Sequence, residues 1–281
     1  MTRGALRLVL LAAALLALGA STAGAATVKA SALLPQLTVS APKLTGYSRE
    51  LFRHWSDADS DGCDTRREVL IGEARVRPTL LAGCQLVGGR WWSAYDSVFI
   101  TDAGALDVDH FVPLSEAWQS GAWRWSAATR ERFANDLDYA PSLIAVTAST
   151  NRQKSDHDPA EWLPAFRGYR CTYVASWIAV KWRWRLAIDA TERAALRLGL
   201  VGCGTAGRVA KPPRAAITLG ASANPPAGES AGASAAGGAL DARYPYCSNA
   251  IAAGLGPYTQ GIDREYEWYR DGDGDGVVCE R

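Results

Sequence analysis

The chain has 281 residues, 30 Lys and Arg against 29 Asp and Glu, a net charge of +1, and 48% apolar residues. That length holds one substantial domain and a small one. The near-even charge argues against a strongly basic domain that grips nucleic acid nonspecifically, so any phosphate contact has to come from local basic clusters.

Residues 1–25 read as a cleaved export signal. Arg3 and Arg7 form a basic start, Leu8 to Leu18 an apolar run, and Ala23-Gly24-Ala25 a small-residue cleavage site. The apolar run is too short to span a bilayer, and no later run is long enough. Removing Arg3 and Arg7 with no acid takes the net charge from +1 to −1. An exported product, secreted or held at the cell envelope, permits disulfides; chain order suggests the pairs Cys63–Cys84, Cys171–Cys203 and Cys247–Cys279, the last set apart by the linker, among the roughly 15 connectivities that six cysteines allow. Zinc is disfavoured, because no C-x-x-C occurs and the three histidines do not cluster with cysteines.

Residues 26–45 read as an extended lead-in. Tyr47 to Trp55 has helical spacing, and His54 within it reads as structural. Asp57, Asp59, Asp61 and Gly62, with Glu68 at the twelfth place, give D-x-D-x-D-G-x5-E, the ligand order of an EF-hand loop. Two readings stand: a structural Ca²⁺ site, or a solvated acidic turn capping the next helix. Asp64 at the usually apolar eighth position and Cys63 inside the loop depart from the pattern. Arg66 and Arg67 open a helix to about Ala74, with Arg66 a candidate phosphate contact.

Residues 90–101 alternate and predict a hairpin leading into a strand at 105–109. Ser126 caps a predicted helix over 127–137, Leu143–Thr147 is a second strand, and a helix from about Ser149 carries Asn151 and Lys154 on one face. Asp158-Pro159-Ala160-Glu161 has the pattern of another helix start. A Trp-rich helix over 173–186 carries Lys181, Arg183 and Arg185, with Lys181 a candidate phosphate contact against the plainer reading of core packing. Asp189 and Glu192 open a last helix. Residues 205–239 are rich in Ala, Gly, Pro and Ser and read as a flexible linker. Residues 240–281 return to aromatic and cysteine-bearing sequence and end in Asp271, Asp273, Asp275, Gly276, Cys279 and Glu280.

Two motifs carry the chemistry: Leu106-Asp107-Val108-Asp109-His110-Phe111-Val112-Pro113-Leu114, and Asn151-Arg152-Gln153-Lys154-Ser155-Asp156, with Asn135-Asp136-Leu137 between. An acid beside a histidine, with a later asparagine amide, supplies ligands for a hard cation and a base for water, and the flanking Lys154 and Arg152 suit phosphate. Taken together, D-V-D-H-x-V-P-L, N-D-L and N-R-x-K-S-D over about 46–203 resemble the HNH nuclease family. The nearest branch is that of secreted actinobacterial proteins and the C-terminal domain of modification-dependent restriction enzymes. The resemblance implies His110 as general base, Asp109 and Asn151 as ligands of one Mg²⁺ or Mn²⁺, and Asn135 as the residue tying the loop after the first strand. His157 is the other candidate for the last ligand. The tail resembles the Excalibur module, whose D-x-D-x-D-G-x-x-C-E signature implies Ca²⁺ on Asp271, Asp273, Asp275 and Glu280.

The expected fold is α+β: a ββα-metal core in a mostly helical shell over 46–204, after the signal (1–25) and lead-in (26–45). The linker (205–239) and a small disulfide-stapled calcium module (240–281) follow. The expected function is a monomeric, exported, metal-dependent endonuclease acting on DNA. The rival is a calcium-dependent envelope-associated binding protein on an inactive nuclease scaffold.

Overall fold

The computed structural model of the chain describes residues 26–220, 243–244, 246–252, 258–259, 264–269 and 277–279. The expected export signal, residues 221–239 of the expected linker, and Asp271, Asp273, Asp275 and Glu280 lie outside the described residues. No described helix is long and apolar enough to cross a membrane.

The elements run in order as β1 (Thr27–Lys29), α1 (Ala30–Leu33), α2 (Thr65–Glu73), β2 (Thr79–Leu81), β3 (Gln85–Val87), β4 (Trp91–Ser93), β5 (Val98–Ile100), β6 (Leu106–His110), α3 (Leu114–Gln119), α4 (Ala127–Ala134), β7 (Leu143–Thr147), α5 (Ala148–Lys154), α6 (Arg170–Trp184), α7 (Ala190–Gly199) and β8 (Arg208–Ala210). In the tail come α8 (Cys247–Ala252), β9 (Tyr258–Thr259) and β10 (Val277–Val278). Every described sheet is a two-stranded antiparallel pair: β1 with β8, β2 with β3, β4 with β5, β6 with β7, and β9 with β10. Pairs this small are marginal alone and need helices on a face.

The centre is the strand–strand–helix unit of β6, β7 and α5. Leu106 pairs with Thr147 and His110 with Leu143. Leu106, Val108, Leu143 and Ala145 pack with Val69 and Leu70 of α2 and with Trp91. On the larger core side, α6 contributes Tyr173, Trp177 and Ile178, packed with Phe52, Tyr95, Phe111 and Val146. Fully burying side chains of this size stabilises by about 1.5–3 kcal/mol each. Asp189 caps α7 by accepting from Glu192 N, and Ser126 caps α4 by accepting from Thr129 N, as their sequence positions predict.

Four local expectations are corrected. The 26–45 stretch is not simply extended: β1 and α1 occupy 27–33, and Ala30, Leu33, Leu34 and Leu37 are buried, because these apolar residues find a partner surface on α6. Residues 208–219 of the expected linker are bound to the body. Arg208–Ala210 pairs with Thr27–Lys29, Ala215 is buried, and Thr218 O accepts from Ser126 N and Thr129 Oγ1. The tail of the body supplies the partner strand that composition alone does not reveal.

The 47–55 segment holds a single 3-10 turn, Arg49–Leu51, in place of a helix. Its carbonyls go elsewhere: Leu51 O accepts from Arg130 Nε, Phe52 O meets His54 Nδ1, and Arg53 O accepts from Asn135 Nδ2. Asp158 opens one turn, accepting from Ala160 N, but no helix follows. Leu163 precedes Pro164, and a residue before proline is pushed out of the helical region.

The sulfurs join as Cys63–Cys84, Cys171–Cys203 and Cys247–Cys279, with no free cysteine among the described residues.

Candidate active site

The strand pleat sorts the motif residues. Successive side chains on β6 point to opposite faces, so Asp107 and Asp109 share one face and Val108 and His110 share the other. Asp109 is buried, and both its oxygens are engaged: Oδ1 accepts from Lys154 Nζ at 2.9 Å, Oδ2 from the Tyr95 hydroxyl at 2.6 Å. Burial pushes its carboxyl pKa up, opposed first by the Lys154 charge. Across from Asp107, Asn151 on α5 donates from Nδ2 to Asp107 Oδ2 at 3.1 Å. Asp107 thus contacts Asn151 and Asp109 contacts Lys154, two residues of α5.

His110 looks the other way. Its Nε2 is 2.9 Å from Ala134 O at the end of α4. A carbonyl only accepts, so Nε2 carries the hydrogen and Nδ1 is the acceptor. The ring lies stacked on Trp55, with centroids 5.1 Å apart, and 6.1 Å from the His54 ring. Burial lowers its pKa to about 3, not near neutrality as a general base in the sequence motif suggests, because the packed ring loses its hydration. His54 puts Nδ1 on Phe52 O and turns Nε2 to Arg49 Nη2 at 3.4 Å. One link joins the two faces: Lys154 Nζ also donates to His110 O at 3.1 Å.

Asn135 ties this corner together. Its Oδ1 accepts from Ser56 N, and its Nδ2 donates to Arg53 O and Glu131 O. The loop carrying His54 and Trp55 is thereby pinned beside His110. Asp136, the next residue, accepts from Arg183 through two nitrogens, from Trp184 Nε1 and from Ser142 Oγ.

Three expected phosphate contacts are corrected. Lys154 is fully buried and committed to Asp109 and His110 O. Lys181 is fully buried and bonds Glu116, Glu192, Ser120 and Ala187 O; burial raises the Glu192 pKa, against the Lys181 charge and with the Glu116 charge. Arg66 donates to Leu106 O and Ala103 O, bracing β6. Desolvating a cation favours pairing, and each cation found its partner inside the protein. Arg152 is exposed, and His157 is half-buried with its backbone N–H on Lys154 O.

The acidic loop sits one residue beyond the pinned segment. Ligand oxygens of Asp57, Asp59 and Asp61 lie within 4.8 Å of one another, all three exposed. Gly62 N donates to Asp57 Oδ2 and Cys63 N to Asp61 Oδ1. Gly62 takes φ +91°, which a side chain would strain. Asp64 caps α2 by accepting from Arg67 N, and burial with the Asp59, Asp61 and Asp57 charges raises the Glu68 pKa.

Several contributors escaped sequence reasoning. Tyr95 and Trp55 carry no motif, and only the fold brings them to Asp109 and His110. Asp107 sits inside the D-V-D-H motif, where its i, i+2 relation to Asp109 was the available signal. In the tail, the Tyr246 hydroxyl bonds Ser115 Oγ, and burial and then the Asp156 carboxylate push its pKa up.

Residues 82–197 match the family described as GmrSD restriction endonucleases, C-terminal domain, and residues 244–280 match the Excalibur calcium-binding domain. An uncharacterized secreted protein of Arthroderma benhamiae is 42% identical over 176 residues, spanning 62% of this chain and 84% of that protein. No solved structure matches the chain. The motifs, the strand–strand–helix unit that carries them and these matches agree: the chain belongs to the GmrSD restriction endonuclease C-terminal domain family and carries an Excalibur calcium-binding domain behind it.

Proposed function

We propose that the protein is an exported, metal-dependent endonuclease that hydrolyses phosphodiester bonds of DNA, with His110 as general base. The observation carrying this reading is the His110 hydrogen bond. A ring whose Nε2–H is fixed on Ala134 O presents Nδ1 as an unprotonated acceptor in a set orientation, which is what abstraction of a proton from water requires. Burial keeps the imidazole neutral. An anionic phosphate entering beside it raises its basicity, since a nearby negative charge favours the imidazolium.

A hard cation suits the donor set on the α5 side. Asp109 and Asn151 are the proposed ligands, with Asp107 beside them; each carboxylate oxygen keeps lone pairs beyond the bonds it makes, and Asn151 keeps its amide oxygen. Mg²⁺ or Mn²⁺ bound there would stabilise charge on the phosphoryl oxygens and the leaving group. The chain's own residues do the rest. Lys154 and Tyr95 hold Asp109, Asn135 fixes the loop over His110, and exposed Arg152 meets phosphate. His157 is the alternative ligand to Asn151.

We further propose that the acidic loop from Asp57 to Glu68 holds a structural Ca²⁺, and that Asp271, Asp273, Asp275 and Glu280 hold a second in the Excalibur domain. The working division is an export signal over 1–25, a lead-in over 26–45, a nuclease body over 46–204 with the 205–219 segment packed on it, a linker up to 239, and the calcium module over 240–281. A monomer suffices for this chemistry.

A second reading has one specific observation behind it. Both oxygens of Asp109 already have donors, and Asp109 and His110 lie on opposite faces of β6, as on a scaffold that binds without cutting. Plasmid nicking separates the two. A nuclease cuts in Mg²⁺ or Mn²⁺ and stops in EDTA, Asp109→Ala and Asn151→Ala blunt the metal response, and His157→Ala leaves it. If His157→Ala abolishes the response instead, His157 takes the place of Asn151; no cleavage in any metal leaves the binding protein.

A further inference from the structure

Beside the Tyr246 contact with Ser115 lies an open cavity of about 780 Å³ between the body and the tail. One wall is the 44–50 segment, with Tyr47 and Arg49; the other is Arg243, Tyr244 and Trp268 of the Excalibur domain. Arg243 is exposed, and its guanidinium stands 5.8 Å from the centre of the Trp268 ring. The acid in the lining, Glu50, is bonded by the Ser48 hydroxyl. The cavity also has a direction. Arg49 Nη2 meets His54 Nε2, and the His54 ring lies 6.1 Å from that of His110, so the 44–50 wall leads to the candidate base.

Arginines on both walls with aromatic faces between them are the two elements that hold single-stranded nucleic acid. Cations track the phosphates, and rings stack on bases without choosing among them. Three of the body's expected phosphate contacts, Lys154, Lys181 and Arg66, are turned inward. We infer that this cleft binds a single-stranded stretch of the nucleic-acid substrate, its phosphates on Arg49 and Arg243 and its bases against Tyr244 and Trp268. The Excalibur domain is then the second half of the substrate site. The inference rests on the nuclease reading, and it gives calcium a role: the Cys247–Cys279 bond joins the start of α8, next to Tyr246, to the end of the acidic loop.

The test uses the full exported chain with His110→Ala to prevent cleavage, in millimolar Ca²⁺, and a fluorescein-labelled oligothymidylate read by anisotropy. Arg49→Ala, Arg243→Ala and Trp268→Ala should each weaken binding by about fivefold or more, and Trp268→Phe should retain most of it. Trp268→Ala risks unfolding its small module, so Arg243→Ala, at an exposed position, decides. Binding by Arg49→Ala and Arg243→Ala within about twofold of the parent overturns the inference, as does a parent that does not bind. Plasmid nicking by the chain with His110 intact reports separately on the nuclease reading. Nicking without an effect of these variants rejects the cleft and leaves the nuclease.

Discussion

Asp136→Ala is the perturbation whose size the structure fixes best. The carboxylate is buried and takes four donors: Arg183 Nε and Nη2 at 2.8 Å each, Trp184 Nε1 at 2.9 Å and Ser142 Oγ at 2.7 Å. Arg183 is itself buried, keeping Pro213 O and a 3.5 Å approach to the exposed Asp138. Removing Asp136 strands a guanidinium inside, which costs about 3–5 kcal/mol. With a urea slope of about 2 kcal/mol per molar, the midpoint should fall by about 2 M. Urea unfolding followed by tryptophan fluorescence reads this directly. A double variant, Asp136→Leu with Arg183→Met, should recover much of the loss, because an apolar pair leaves no orphan charge. A midpoint within about 0.3 M of wild type for Asp136→Ala would refute the reasoning, since that is under about 1 kcal/mol.

Asn135→Ala removes two hydrogen bonds that hold the 53–56 loop to the end of α4 and a third to Glu131 O of α4 itself, so it should lower stability by about 2 kcal/mol and cut nuclease turnover more than it changes the cation concentration needed; unchanged turnover in a folded variant contradicts the positioning role. Glu73, whose carboxyl accepts from Ala145 N, is pushed up to about 7 mainly by burial. The folded state holds that proton more tightly than the unfolded chain, so its contribution is full below about pH 4.5 and lost as pH rises towards 7. Glu73→Gln should therefore gain on wild type between pH 5 and pH 8 by an amount on the order of 2 kcal/mol, read as a difference in urea midpoints; an equal difference at both pH values rejects it. Asp61→Ala should remove one of two Ca²⁺ binding events in calorimetry of the chain lacking residues 1–25, and two intact events in that variant would remove calcium from the 57–68 loop.

Local signals in the sequence reached the elements well and the side-chain partners poorly. The β6 and β7 strands, the hairpin before them, and the caps Ser126 and Asp189 follow from alternation and capping chemistry that act over a few residues. The chain-order pairing of cysteines also matches the three bonds. Lys154 and Lys181 were misjudged because a lysine in sequence carries no sign of a carboxylate 45 or 65 residues away. Residues 208–219 were misjudged because low apolar content argues only that a segment cannot form its own core, not that it cannot edge another. Tyr246 is not legible in the sequence either: its partner Ser115 lies 131 residues away.

The central claim stands or falls on His110. Plasmid nicking by the purified chain lacking residues 1–25 and by its His110→Ala variant, each in Mg²⁺ or Mn²⁺ and each with EDTA, is the deciding experiment. Wild type should nick in a metal-dependent way, and a His110→Ala protein that still melts cooperatively should be slower by about 10²–10⁴-fold. Nicking by folded His110→Ala within a few-fold of wild type would contradict it.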